Sequence, residues 1–119
     1  MIGLDIRVEG IESLTKALEK LRLAEPAYEA TELFLEKTVA DAKNIVPVRT
    51  GTLQRSIRWW GGEGEYHVGS NVHYAPYVEY GTSRMAPRPY LTPALLQNIP
   101  LLREALRELI RQHLERRGE

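Results

Sequence analysis

Leu4, Ile6 and Val8 alternate with Asp5, Arg7 and Glu9, a period of two that predicts a half-buried strand ended by Gly10. From Ile11 the period lengthens. Ile11, Leu14, Leu18 and Leu21 fall on one helical stripe, which Glu25-Pro26 interrupts. A second helix is predicted from Pro26, whose missing N–H costs nothing in a first turn. Ala27, Ala30, Phe34, Thr38, Ala42 and Ile45 share one face of it, Glu29, Glu32, Glu36, Lys37 and Lys43 take the other, and Pro47 marks its end.

Beyond Pro47 the helical pattern ends. Residues 46–57, VPVRTGTLQRSI, hold a predicted turn at Thr50-Gly51-Thr52 in which Gly51 takes positive φ. SIRWWGG and EYHVGSN, around Gly61, Gly62 and Gly64, read as a β-hairpin with Ile57 and Trp59 on one face and Arg58 and Trp60 on the other. Residues 74–95, YAPYVEYGTSRMAPRPYLTPAL, are the most constrained stretch. Pro76 suits a first helical turn, while Tyr77, Val78 and Tyr80 favour extension; the reading is a short helix or turn before Gly81. An ordered extended loop follows to Pro89, because Pro87 and Pro89 fix φ on both sides of Arg88. Thr92 as N-cap and Pro93 at the first position predict a helix that Pro100 kinks or splits. Leu102, Leu106, Leu109, Ile110, His113 and Leu114 continue it as an apolar stripe. The order of elements indicates an α+β fold: a small antiparallel sheet with a β-hairpin packed against two or three helices, one domain over residues 1–119.

Composition narrows the function classes. Apolar residues at 43% and charged residues at 27% are ordinary for a globular chain, and zero cysteines exclude a disulfide framework and thiolate zinc sites. No apolar run is long enough to span a membrane, and MIGLDIRVEG lacks the regions of a signal peptide, so synthesis in a cytoplasm is expected. Net charge is zero but unevenly spread. Residues 1–42 hold five basic and nine acidic groups, residues 43–92 six and three, and residues 93–119 five and four. A neutral total argues against a dedicated nucleic-acid binder and eases self-association.

Candidate chemistry is sparse. His67, His73 and His113 lack metal-ligand spacing, and Ser56, Ser70 and Ser83 sit in no nucleophile elbow. The glycines of GGEGEYHVG match neither a Walker loop nor a dinucleotide fingerprint. Glu79 is the notable carboxylate, but a lone acid cannot divide acid and base roles; an ion pair to Arg84, Arg88 or Arg49 that fixes the loop is the favoured reading. No catalytic group, cofactor or metal is expected, and the chain is not expected to be an enzyme. Arg49, Arg55, Arg58, Arg84 and Arg88 with Trp59, Trp60, Tyr66, Tyr74 and Tyr77 suit either a stacking surface for single-stranded nucleic acid or a protein interface, and the second is favoured.

VPVRTGTLQRSI and YAPYVEYGTSRMAPRPYLTPAL together resemble the signature of a bacteriophage family named for the tenth gene product of phage HK-ninety-seven. The matching positions are Pro47, Thr50, Gly51, Leu53, Ser56 and Ile57, then Tyr74, Ala75, Tyr77, Val78, Glu79, Tyr80, Gly81, Thr82, Pro89, Tyr90, Pro93 and Ala94. Tyr80 and Tyr90 stand where phenylalanine is common. The resemblance implies a structural virion protein for tail completion or head-to-tail joining. Its implied partners are portal-side head connector and tail proteins, in a homo-oligomeric ring whose lumen passes DNA, with a monomer in isolation still compatible. The implied location is the head–tail junction of the virion. Gly81 to Tyr90, with Arg84 and Arg88, and the hairpin from Ile57 to Asn71 are the contact candidates; Arg49 joins the motif set, and Arg55 and Arg58 approach the lumen. The alternative is a single-stranded nucleic-acid-binding module.

Overall fold

The computed structural model of the chain describes residues 3–8 and 11–117, and of residues 11–15 and 117 it describes the backbone only. The predicted strand terminator Gly10, the strand position Glu9 and the side chains of Ile11 and Leu14 therefore lie outside the described residues. The elements run β1 (Leu4–Val8), α1 (Ile11–Lys20), α2 (Ala24–Ile45), α3 (Thr52–Ser56), β2 (Arg58–Gly62), β3 (Glu65–Ser70), α4 (Ala75–Tyr80) and α5 (Leu91–Arg117). This is α+β, as the period changes imply.

Strand order is β1-β3-β2, antiparallel throughout. The hairpin turns at Glu63-Gly64, and β1 adds to its β3 edge with Leu4 opposite Ser70 and Val8 opposite Tyr66. This register sorts the faces. Leu4, Ile6, Val8, Trp59, Tyr66 and Val68 face the helices, while Asp5, Arg7, Arg58, Trp60 and His67 face solvent. The core lies between the inner sheet face, α2 and the start of α5: Leu35, Tyr66, Val68, Tyr90, Leu91 and Ala94 are fully buried.

α5 runs back along α2. Asn98 Nδ2 donates to Asp41 Oδ2 at 2.8 Å, and Leu102 and Ala105 lie alongside Phe34 and Ala30. The buried α2 threonines satisfy their own hydroxyls, Thr31 and Thr38 donating to the carbonyls of Ala27 and Phe34 at 2.8 Å each. Past Asn98 no described residue of α5 is buried, and Leu114 is largely exposed. The molecule is accordingly elongated, 60 × 23 × 23 Å.

Four helix assignments differ from the sequence expectation, the first being α5, which starts at Leu91 and so takes the predicted N-cap Thr92 into its first turn. α2 starts at Ala24, two residues before Pro26, because the whole first turn has unused N–H groups and proline is tolerated anywhere within it. α5 neither splits nor stops at Pro100. The carbonyl that Pro100 leaves without a helical donor belongs to Leu96, which is exposed and open to water. The Gly51 turn is followed by a five-residue helix, α3, where the sequence predicts only the turn.

Candidate functional site

The first motif segment is a bracket at the end of α2. Val46 is buried and Gln54 Nε2 donates to the Lys43 carbonyl at 2.9 Å, holding α3 against the last turn of α2. Gly51 has φ of 82°, the left-handed value predicted for it, and its carbonyl accepts the Arg55 N–H at 3.0 Å to start α3. Leu53 and Ile57 enter the core. Ser56 Oγ donates to the Leu53 carbonyl and lies 2.6 Å from Ser70 Oγ, which in turn accepts the Val72 N–H at 3.0 Å. The run Thr50-Gly51-Thr52-Leu53 through Ser56-Ile57 is thus one turn, one core anchor and one tie to the end of β3.

In the second segment α4 splits by face. Ala75 and Glu79 are buried, and Tyr77 and Tyr80 are more than half exposed at 53% and 61%. Glu79 makes none of the predicted ion pairs to Arg49, Arg84 or Arg88. Its Oε1 accepts the N–H groups of Leu91 at 2.7 Å and Tyr90 at 3.3 Å, and its Oε2 accepts that of Thr92 at 3.4 Å. These are open donors at the start of α5, where the positive end of the helix dipole favours a carboxylate. The cap predicted for Thr92 is therefore supplied by Glu79 from eleven to thirteen residues upstream. Tyr90, expected at an interface, is wholly buried, and its hydroxyl donates to the Ala75 carbonyl at 3.1 Å. Burial first, then the charge of Glu79, pushes its phenol above the ordinary range.

Between these anchors the chain leaves the core. Gly81, at φ of 77°, turns it sharply; a Cβ there would sit 2.8 Å from the Pro87 nitrogen and 2.9 Å from the Met85 carbonyl oxygen. Residues 82–89 are exposed without exception. They are nonetheless pinned: the Thr82 N–H donates to the Met85 carbonyl and the Arg88 N–H to the Val78 carbonyl, both at 2.8 Å.

The two segments face each other across an open groove of about 810 Å³. Pro47, Leu53, Tyr74, Val78 and Met85 give it apolar walls, and Arg49 and Arg88 are its charged lining. Among the described residues no acid, histidine or serine lines it. Among the described residues Arg49, Arg55, Arg84 and Arg88 make no ion pair. Such a surface can hold an apolar and anionic partner.

Of the residues singled out from sequence, Pro47, Arg49, Thr50, Gly51, Leu53, Tyr74, Tyr77, Thr82 and Arg88 line this groove. Glu79, Tyr90 and Ser56 hold its frame, while Tyr80, Arg84 and Pro89 stand exposed outside its lining. The hairpin aromatics lie elsewhere and are already engaged. Trp60 stacks on His67 at 5.4 Å, the Arg58 guanidinium lies 4.7 Å from the Trp60 ring centre, and His67 Nδ1 is 2.8 Å from Asp5 Oδ1. Val78, a motif position, and Met85, inside the contact stretch from Gly81 to Tyr90, are wall residues not singled out individually from the sequence. A lone large apolar side chain in a loop of Thr, Ser, Arg and Pro was the signal for Met85.

No helix among the described residues is long and apolar enough to cross a membrane. A family model described as "Bacteriophage HK97-gp10, putative tail-component" matches residues 11–81, which include all of the bracket, α4 and most of the groove wall. No curated protein and no solved structure matches the chain.

Proposed function

The chain belongs to the HK97-gp10-like family of phage tail components, and from that premise we propose that it is a non-enzymatic assembly protein at the junction of head and tail. In this reading it completes the tail by binding portal-side and tail proteins, as one subunit of a ring around the path of the DNA. The observation that carries the reading is the stretch from Thr82 to Pro89: every residue exposed, yet both ends fixed by Glu79, Gly81 and the Arg88–Val78 hydrogen bond. A segment already ordered before contact loses little conformational freedom when covered. The adjoining groove offers apolar area with unpaired arginines at its edge, a composition suited to a surface that is solvated first and buried later.

The test is a phage whose gene for this chain is deleted. Electron microscopy of its particles is expected to show heads and tails unjoined or tails incomplete, and normally joined infectious particles would refute the reading. The single-stranded nucleic-acid alternative draws support from the unpaired arginines beside exposed Tyr77. Against it stands Trp60, whose ring is stacked on His67 within the same molecule. An oligonucleotide shift at low salt, reduced by Arg88→Ala and by Tyr77→Ala, would favour that alternative.

A further inference from the structure

Among the described residues the arginines of the groove make no ion pair. Residues 47–58 and 72–90 hold five arginines and one acid, and that acid, Glu79, is buried with its oxygens occupied by N–H groups. The opposite imbalance lies along α2: between residues 19 and 36 five acids stand against two bases, Lys20 and Arg22. The fold gathers these acids. Glu25, Glu29, Glu32 and Glu36 follow one another at helical spacing along α2. Glu32 and Glu36 accept hydrogen bonds from Tyr66 and Trp59. Burial first, and then the charges of Glu19, Glu63 and Glu25, raise the Tyr28 phenol on the same stretch of α2. Among the described residues none of these glutamates makes an ion pair. Along α2 the band lies between about 14 Å (Glu36) and about 30 Å (Glu25) from Ile45, where the bracket begins, and no ion pair joins it to the groove among the described residues.

We propose that the groove receives the acidic side of α2 from a second copy of this chain, so that copies join head to tail. The two surfaces differ, so each copy keeps one of each for its neighbours, and the series closes into a ring when the rotation allows. Opposite charge fixes the register and the order of the partners, while the apolar walls and Tyr77 supply the contact area. The zero net charge favours a second copy over nucleic acid, because it leaves little long-range repulsion between copies and lacks the basic excess that draws phosphates. This inference rests on the assembly reading above and names one partner within it.

The experiment uses two charge reversals and their mixture. Arg49→Glu/Arg88→Glu reverses the groove, and Glu29→Lys/Glu63→Lys reverses the band. Sedimentation at low salt is expected to show the wild-type average mass rising with concentration and falling as salt is added. Each reversed protein alone should associate at least about tenfold more weakly. Mixed in equal amounts, the two should recover association, because every junction in an alternating series is again complementary. Circular dichroism of each variant excludes loss of fold, and Arg49→Gln/Arg88→Gln replaces the first pair if it does not fold. A wild type that stays monomeric at all concentrations overturns the proposal, as does a mixture that stays monomeric while wild type associates. Loss of oligonucleotide binding in the groove variant with undiminished self-association also overturns it, in favour of nucleic acid. A monomeric wild type with defective deletion particles would sink the self-contact and leave the tail role standing.

Discussion

Glu79 does at the scale of one residue what the motif around it requires: it joins α4 to the first turn of α5 and so closes the base of the exposed segment. Glu79→Ala would leave three buried or half-buried N–H groups without their acceptor, and the expected loss is about 3 kcal/mol in urea unfolding. Glu79→Gln keeps one acceptor oxygen and should lose less. An unchanged midpoint for Glu79→Ala would show that the N–H groups find other acceptors. The sequence pointed to this residue and to a structural role, but to the wrong partners. Arginines are visible in a sequence; the open N–H groups of a helix start are not. Two phenols carry a second prediction. Burial, then Glu32, pushes Tyr66 up to about 12, and Tyr90 is raised still further by burial and Glu79. In the unfolded chain both titrate near the ordinary value of 10.0, so the folded state holds their protons longer. Stability should be complete below about pH 10 and fall as pH climbs through 12, with tyrosinate absorbance rising together with unfolding. Tyr66→Phe should flatten that alkaline decline; a decline as steep as wild type would assign it to other groups.

Between elements, the seam of α2 and α5 carries the elongated shape. The Asn98 hydrogen bond first, and then Lys37, hold the Asp41 carboxyl below its ordinary value. A lowered folded value means that this tie is present above the ordinary carboxylate range and is lost as pH falls through the lowered value. Asp41→Ala should therefore lower the melting temperature at neutral pH and make stability less sensitive to acid; an acid limb identical to wild type would contradict this. The two turn glycines separate by what a methyl group would meet. In Gly51→Ala the new Cβ meets only the tip of Arg55, so the cost is mainly that of positive φ, roughly 1–2 kcal/mol. Gly81→Ala meets the backbone of Met85 and Pro87 as well and should cost more, displacing the exposed segment; equal losses would count against that geometry. The strands, the hairpin and both long helices were legible because each repeats its period several times. α3 was not, since five residues with one buried side chain, Leu53, display no period. Pro26 and Pro100 misled for a related reason: a proline reports a missing donor, and whether that matters depends on the first-turn position of one and the solvent exposure beside the other.

Across the whole molecule the zero net charge conceals a separation, arginines around the groove and glutamates along α2, in a body 60 Å long. Composition showed the imbalance between segments; only the fold shows that 47–58 and 74–88 meet across one groove while residues 19–36 point elsewhere along α2. Family membership places the chain among tail components, and the groove is the surface on which that role is proposed to act. The most direct measurement is complementation of a deleted phage by the Arg49→Glu/Arg88→Glu variant, read as the yield of joined, infectious particles. The variant should fold as wild type does and leave heads and tails as defective as the deletion does. A wild-type yield from that folded variant would contradict the claim that this groove is where the protein meets its partners.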